Sequence, residues 1–170
     1  MKIAVISDIH DNIWNLQKAL AMSELQATEA MLFCGDLCAP FVIHLLGQAY
    51  SRPIHMVFGN NDGDVAAIIG NSKKYSNIHI HGEYFRSLLG GRTLAMNHYP
   101  DKAREIAENG GFEIVCYGHN HIVVNDEMVG DTLLINPGAI MGYNGGELKD
   151  IPATYLILDT ALLKAEVYQI

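Results

Sequence analysis

Side chains able to bind metal ions recur along this chain, each directly after a short apolar run. Asp8 and His10 follow the first run, Asp36 follows the second, and Asn60 follows the third. The seven candidate ligands are Asp8, His10, Asp36, Asn60, His98, His119 and His121. Mixed imidazole and oxygen ligands suit Mn, Fe, Ni, Co or Zn better than Ca or Mg. Two such ions about 3.5–4 Å apart clamp the attacking and leaving oxygens of an in-line displacement at phosphorus. The set therefore predicts a two-metal site that hydrolyses phosphate esters.

The strength of this prediction comes from the whole set. Taken alone, Asp8 and His10 are more typical of a helix cap and a solvated histidine, and the Gly-Asp pair of GDLC is ordinary turn chemistry. His119 and His121 in GHNH are a stronger signal, because an ordinary loop seldom places two imidazoles one residue apart. Metal binding and a structural role remain balanced even there. The pattern is hard to explain by chance only because several predicted strands each end in residues of the same metal-binding type.

Apolar runs and helical patterns alternate in the first part of the chain. Strands are predicted at 2–7, 30–35 and 53–59, with helices at 14–27 and 41–50. This βαβαβ order is typical of a parallel sheet, and the runs lack the strict alternation of half-exposed strands. The polar clusters SDIHDN, GDLCAP and GNNDGD then fall at the carboxyl ends of strands, where ligand-binding crevices form in such sheets.

The second part of the chain favours hairpins and antiparallel strands. The predicted elements are a hairpin at 83–97 with a two-glycine turn, a helix at 101–109, a strand at 113–118, a hairpin at 123–136, and strands at 153–160 and 163–170. No repeat, low-complexity tract or linker divides the sequence. We therefore expect a mixed α/β fold in one domain, residues 1–170, with two packed mixed β-sheets in a sandwich flanked by helices.

Charge and composition limit the classes of partner. The formal net charge of −8 argues against a broad basic face for a nucleic-acid backbone, although bound cations reverse local polarity and attract an anionic substrate. The first apolar run is interrupted at Asp8, too early for a signal peptide or a membrane span, so we expect a cytoplasmic protein without membrane association. Cys34, Cys38 and Cys116 are odd in number and lie in or beside apolar segments, so no disulfide framework is expected.

Six sequence blocks, in order, resemble those of the calcineurin-like metallophosphoesterase family. SDIHDN resembles the family's DxHxN, GDLC its GDxx, GNND its GNxD, NHYP its strand-end histidine, GHNH its GHxH, and NPGA its NPGS turn. The resemblance covers nearly the whole chain and is nearest to the small YfcE-like phosphodiesterases. It implies an αββα sandwich and a phosphodiesterase that acts on small organic phosphates.

The resemblance also implies a role for each candidate ligand. One metal ion would be held by Asp8, His10, Asp36 and His121. The second would be held by Asp36, Asn60, His98 and His119. Asp36 would bridge the two ions, and Asp36, Asn60 and His98 would take part in catalysis through a hydroxide shared between the ions. Manganese is the favoured metal, with Ni, Fe, Co, Zn or Mg as alternatives.

Three positions depart from the family pattern or extend it. Many larger relatives carry a histidine, thought to protonate the leaving group, where this chain has Asn61, which cannot act as a general acid. Asp62 is expected to orient His10 or to cap a turn, and a role as catalytic acid is the less favoured alternative. Tyr99 replaces the family's glycine after the fourth ligand-bearing strand, and either lines the substrate site or anchors its loop.

Other polar residues have two interpretations each. Asn120 is expected to donate a hydrogen bond to bound phosphate, whereas Asn12 is better explained as the N-cap of the next helix. The remaining histidines lack neighbouring carboxylates in sequence and are expected to be structural; they are His44, His55, His79 and His81.

Two alternatives to a phosphodiesterase remain open. The same fold is used by a retromer subunit that resembles this family but has a weakened site, so a non-catalytic or weakly catalytic interaction scaffold is one alternative. A phosphomonoesterase is the other, because no spacing shows whether the pocket accepts a second ester group. The expected partner is a small phosphorylated substrate, and the resemblance makes a homo-oligomer plausible.

Overall fold

Two main β-sheets, a small two-stranded hairpin and five helices make up this computed structural model, which describes all residues 1–170. In chain order the elements are β1 (Lys2–Ile6), α1 (Ile13–Ala21), α2 (Ser23–Gln26), β2 (Ala30–Phe33), α3 (Val42–Ala49), β3 (Ile54–Met56), α4 (Val65–Ser72), β4 (Ile78–Ile80), β5 (Tyr84–Leu89), β6 (Arg92–Asn97), α5 (Pro100–Asn109), β7 (Ile114–Cys116), β8 (Val123–Val129), β9 (Thr132–Pro137), β10 (Tyr143–Asn144), β11 (Lys149–Asp150), β12 (Thr154–Asp159) and β13 (Lys164–Gln169). A small hairpin of β10 and β11 lies outside the two main sheets.

The two main sheets are both mixed. The first has the strand order β13-β12-β1-β2-β3-β4, with β1 to β4 parallel and the last two strands of the chain added antiparallel. The second has the order β5-β6-β7-β9-β8, in which β6, β7 and β9 are parallel. Because the ligand-bearing strands are parallel within each sheet, their carboxyl ends lie along one edge.

Three apolar layers explain why the strands read as unbroken apolar runs. The largest cluster lies between the first sheet and the helices α1 to α4, and includes Phe33 and Leu46. The second lies between the sheets, where Leu32 meets Met96. The third packs α5 on the outer face of the second sheet. Strands buried on both faces cannot alternate polar with apolar residues. The predicted sandwich of two mixed sheets flanked by helices is confirmed.

The prediction of one continuous helix at 14–27 is wrong. The segment is two helices, α1 and α2, separated at Met22, whose backbone is extended (φ −71°, ψ 130°). Asn12 is the N-cap of α1, as predicted, since its side-chain oxygen accepts a hydrogen bond from the Asn15 N–H at 3.1 Å. The helix α4 and the β10–β11 hairpin were not predicted at all.

No helix in the structure is both long enough and apolar enough to span a membrane. The cysteines are all free, with Cys34 and Cys116 buried and Cys38 partly buried. This agrees with the expectation that no disulfide framework exists.

Candidate metal centre

The seven candidate ligands meet at one edge of the sandwich. Asp8 and His10 follow β1, Asp36 follows β2, and Asn60 lies beyond β3 in the first sheet. From the second sheet come the three remaining histidines, after β6 and β7: His98, His119 and His121. Five parallel strands from two sheets thus deliver their carboxyl-terminal residues to one place. The structure brings together every residue of the predicted set.

The first predicted ligand set converges around the Oδ1 atom of Asp8. This oxygen lies 3.6 Å from His10 Nε2 and 3.3 Å from His121 Nε2. The two imidazole nitrogens are 3.2 Å apart, and His10 Nε2 is also 3.6 Å from Asp36 Oδ2. Ligands bound at about 2.0–2.2 Å to one ion are separated from one another by about 3.0–3.5 Å. The spacing therefore fits a single cation between these atoms.

The second predicted ligand set converges on the same Asp36 oxygen. His98 Nε2 lies 3.3 Å from Asp36 Oδ2 and 3.1 Å from Asn60 Oδ1. His119 Nδ1 completes the group at 2.9 Å from Asn60 Oδ1. Because Asp36 Oδ2 belongs to both sets, this arrangement fits two cations that share one carboxylate.

Polar atoms at the centre lack the partners they would need without a cation. Asp8 Oδ1 is fully buried and accepts no hydrogen bond, which is costly for a carboxylate oxygen. The 440 Å³ cavity at the site is lined by one carboxylate, three imidazoles and no Lys or Arg; its lining is His10, Asp36, Asn61, His119, Asn120, His121, Asn144, Gly145 and Gly146. A site for an anionic phosphate with acidic and no basic side chains needs cations to reverse its polarity. The residues present fit divalent metal ions.

The ionisation of the buried groups shows how closely they interact. Burial raises the pKa of Asp8, but the neighbouring His10 and His121 lower it further, so the net shift is downward. The pKa of Asp36 is also lowered, because contact with His98 outweighs burial. In return, the carboxylates raise the pKa of His98 and His121 against the effect of burial. A cation bound at the centre would take the place of the proton that these pairs favour.

Left-handed backbone concentrates at the candidate ligands. Asp8 (φ 53°), His10 (φ 44°), Asp36 (φ 63°), His119 (φ 74°) and His121 (φ 59°) all adopt positive φ angles. Non-glycine residues in this region are uncommon and strained by about 1 kcal/mol or more, and such residues cluster at functional sites. The loops thus accept backbone strain to aim these five side chains inward.

Hydrogen bonds to backbone atoms fix the orientation of two imidazoles. His98 Nδ1 donates to the Cys34 carbonyl at 2.7 Å, and His121 Nδ1 donates to the Tyr143 carbonyl at 2.6 Å. Each bond leaves Nε2 free to face the centre, which is the usual arrangement of metal-binding histidines. Sequence reasoning missed Tyr143, because a backbone carbonyl has no residue-type signal.

Known phosphoesterases are similar to this chain in sequence and in structure. Residues 1–162 match the calcineurin-like phosphoesterase superfamily domain. The chain belongs to this superfamily. It is 33% identical over 162 residues to phosphodiesterase MJ0936 from Methanocaldococcus jannaschii, covering 94% of this chain and 93% of that protein. A solved structure of an archaeal phosphodiesterase covers all of both chains with 29% identity and a TM-score of 0.87.

More distant structures share the fold alone. YfcE, a phosphoesterase from E. coli, has a TM-score of 0.67 and 21% identity, covering 94% of this chain and 89% of its own. Several Vps29 structures align with TM-scores between 0.65 and 0.70. The predicted resemblance to the calcineurin-like family and its small YfcE-like members is confirmed.

Asn61, where larger members of the superfamily carry a histidine, binds the shared carboxylate. Its side-chain amide donates to Asp36 Oδ2 and its backbone N–H donates to Asp36 Oδ1, both at 2.8 Å. Sequence reasoning treated Asn61 only as a missing acid. The structure instead gives it a direct contact with the carboxylate that both predicted metal sets share.

Of the two roles expected for Asp62, orienting His10 is wrong, whereas capping a turn agrees with the structure. The two carboxylate oxygens of Asp62 accept four backbone hydrogen bonds, three from the loop after β2 and one from the loop after β3. The donors are the N–H groups of Gly59 at 2.7 Å, Leu37 at 2.8 Å, and Asp36 and Cys38 at 3.1 Å. The hydrogen-bonding partner of His10 Nδ1 is instead Cys38 Sγ, at 3.6 Å. Occupied as an acceptor on both oxygens, Asp62 does not fit the role of catalytic acid.

Glycines permit the close approach of these loops. A Cβ atom on Gly59 would lie 2.2 Å from Asp36 Oδ1, and one on Gly118 would lie 2.0 Å from Ser7 Oγ and 2.6 Å from Asp8 Oδ2. Contacts this short are impossible for a real Cβ, so these two positions of the GNND and GHNH blocks require glycine.

Polar residues around the ligands complete the site. Buried Asn136, from NPGA, donates through its side chain to the Gly118 carbonyl at 3.1 Å and to Asn120 Oδ1 at 2.8 Å, which holds the GHNH loop. The Tyr99 ring lies 5.3 Å from the rings of His98 and His119, so it borders the centre. The histidines predicted to be structural lie outside it: His44 binds Tyr75, and the other three stack together near Phe85.

Proposed function

We propose that the protein is a dinuclear metal-dependent phosphodiesterase that hydrolyses small organic phosphate esters. One observation carries the proposal: two groups of donor atoms, with neighbouring atoms 2.9 to 3.6 Å apart, share the single oxygen Asp36 Oδ2. The similarity to phosphodiesterase MJ0936 supports the same activity class.

The seven candidate ligands divide into two sets, one for each metal ion. Asp8, His10, Asp36 and His121 hold one cation, and Asp36, Asn60, His98 and His119 hold the other. Manganese is the favoured ion, with Ni, Fe, Co, Zn or Mg as alternatives. When bound, such ions would lower the pKa of a coordinated water and neutralise the charge that develops on the phosphoryl oxygens.

The remaining polar groups position the phosphoryl group and the shared carboxylate. Asn61 holds Asp36 through two hydrogen bonds. Asn120 lines the cavity, and its Oδ1 is already used by Ile122 N–H and Asn136. Its amide nitrogen is therefore the part that is directed at a substrate oxygen. None of these groups is a strong acid, so esters with good leaving groups are the expected substrates.

A non-catalytic scaffold is the competing interpretation, since Vps29 proteins share the fold. All seven expected ligands are present here, and their side chains meet, which favours an enzyme. A scaffold has no need to retain an electrostatically costly cluster of buried Asp8 and Asp36 beside His98.

Hydrolysis of bis(4-nitrophenyl) phosphate by the manganese-loaded protein tests the proposal. We expect turnover that requires Mn²⁺ and falls by at least about 100-fold in Asp36→Asn and in His98→Gln. Matched controls are Asp131→Asn, in an exposed turn, and His79→Gln, an exposed histidine outside the centre. Metal-independent turnover, or equal losses in the controls, would refute the proposal. Comparison with 4-nitrophenyl phosphate under the same conditions decides between diesterase and monoesterase preference.

A further inference from the structure

A second cavity lies directly beside the metal-centre cavity and shares two lining residues with it, His121 and Asn144. This cavity, here called the edge groove, has a volume of 580 Å³. It is lined by His121, Ile122, Val123, Asn144, Glu147, Lys149, Ile151, Pro152, Thr154, Val167 and Gln169. None of the sequence motifs predicts it.

The edge groove lies where the sandwich opens at the side. β8 is the outer strand of the second sheet and β13 is the outer strand of the first. Val123 of β8 and Val167 of β13 face the groove with 37% and 43% of their surfaces exposed, and Ile122 is 54% exposed. Exposed apolar residues are common singly, but several that converge in one concave surface are typical of a binding site.

The linings of the two cavities differ in chemistry. The metal-centre cavity has no apolar side chain, whereas four of the residues in the edge groove are apolar. A phosphodiester has a charged phosphoryl group and two organic groups, which need different surroundings. The adjoining cavities supply one surrounding for each.

The β10–β11 hairpin forms the wall between the cavities and is tied to the metal centre. The Tyr143 carbonyl accepts the bond from His121 Nδ1 at 2.6 Å, and Ile151 N–H donates to the Gly142 carbonyl at 3.2 Å. Asn144, from the same hairpin, lines both cavities. A ligand that spans the two cavities therefore passes over the hairpin beside a predicted metal ligand.

Charges at the rim indicate an uncharged organic group. Lys149 and Glu147 form an ion pair with each other, so neither leaves a net charge for a second phosphate. We propose that the edge groove binds the apolar, aryl-type ester group of a phosphodiester whose phosphoryl group lies at the metal centre. This inference rests on the proposed function and names the substrate class for it.

Substrates with one leaving group and different second ester groups test the proposal. Phenyl 4-nitrophenyl phosphate and methyl 4-nitrophenyl phosphate both release 4-nitrophenolate, so they differ only in the group assigned to the edge groove. With the manganese-loaded protein we expect KM for the phenyl ester to be about tenfold lower, because the ring buries apolar surface that a methyl group lacks. Equal KM values would overturn the proposal.

The double variant Val123→Thr with Val167→Thr is the matched perturbation, because threonine keeps the branched shape and strand preference of valine but adds a hydroxyl. We expect its KM for the phenyl ester to rise by about threefold or more, with KM for the methyl ester and both kcat values unchanged. Leu88→Thr, 68% exposed on β5 and far from the groove, is the control. An equal rise for both esters, or the same selectivity change in the control, would overturn the proposal.

Equilibrium binding separates failure of the groove from failure of the proposed function. Calorimetric titration of the manganese-loaded protein with diphenyl phosphate and dimethyl phosphate needs no turnover. A preference for the diphenyl ester that disappears in the double variant supports the edge groove even if no ester is hydrolysed, in which case only the proposed function fails. Equal affinity for the two ligands overturns the proposal for the edge groove even if hydrolysis is observed.

Discussion

Replacing Asp62 by alanine removes the acceptor of four backbone N–H groups at 2.7 to 3.1 Å. Hydrogen bonds to a charged group contribute about 1.5–3 kcal/mol each, which sets an upper limit of about 6–12 kcal/mol. Two effects reduce this value. Asp62 is only partly buried, so water replaces some of the lost bonds. Burial and the nearby Asp36 charge also raise the pKa of Asp62, so its removal relieves a desolvation cost. We expect a net loss of about 2–4 kcal/mol in the free energy of unfolding.

The same substitution should weaken metal binding, although Asp62 is not a predicted ligand. Its bonds connect the loop that carries Asp36 to the loop that carries Asn60, and groups that orient metal ligands typically affect affinity by about 10–100-fold. Urea unfolding in the presence of EDTA measures the first effect, and calorimetric titration with Mn²⁺ measures the second.

Asp64→Ala is the matched control, because Asp64 caps α4 from an exposed position two residues away and accepts one bond, from Ala67 N–H at 2.9 Å. It should lose about 0.5–2 kcal/mol and bind Mn²⁺ normally. The reasoning is refuted if Asp62→Ala costs less than 1 kcal/mol with full affinity for Mn²⁺, or if Asp64→Ala weakens metal binding equally.

Further expected outcomes concern the leaving group, the shared carboxylate and acid stability. Because Asn61 cannot donate a proton, hydrolysis rates of aryl diesters should fall steeply as the leaving-group pKa rises; a flat plot would reveal an overlooked acid. Asn61→Ala should lower the affinity for Mn²⁺ by about tenfold, measured by calorimetry, because Asp36 loses its side-chain contact. Gly59→Ala, whose Cβ would overlap the Asp36 carboxylate, should lower the affinity for Mn²⁺ further. An affinity equal to that of the unsubstituted protein would contradict the geometry. Burial, and then the neighbouring His81, lower the pKa of His55 to about 4. As the pH drops from about 6.5 to 4, His55 therefore takes up a proton in the unfolded chain but not in the folded one, and the free energy of unfolding falls. His55→Phe should remove about 1 kcal/mol of that fall, after allowance for solvent screening, in urea unfolding at pH 7.5 and 4.5; an unchanged fall would contradict the assignment.

The strand ends and the candidate ligands could be predicted because their signal is local. An apolar run that stops at Asp8 or at Asp36 identifies both a buried strand and the polar residue beyond it. Parallel pairing then places those residues at one edge without any knowledge of the intervening contacts. The ligand assignments themselves stay predictions, although the structure brings all seven side chains together.

The remaining features depend on contacts between distant parts of the chain. Asp62 was expected to orient His10 or to cap a turn, but the sequence could not identify its four partners, because they are backbone N–H groups, which carry no residue signal. The Tyr143 carbonyl escaped notice for the same reason. No Gly or Pro marks the break between α1 and α2 at Met22, and the two-residue strands β10 and β11 are too short to show a period.

Crystallographic location of manganese, from anomalous differences of protein crystals soaked in Mn²⁺, tests the central claim most directly. The account predicts two peaks per chain, about 3.5–4 Å apart, with the Asp36 carboxylate between them and with at least one peak lost in Asp36→Asn. A single peak, or peaks that do not share Asp36, would contradict it.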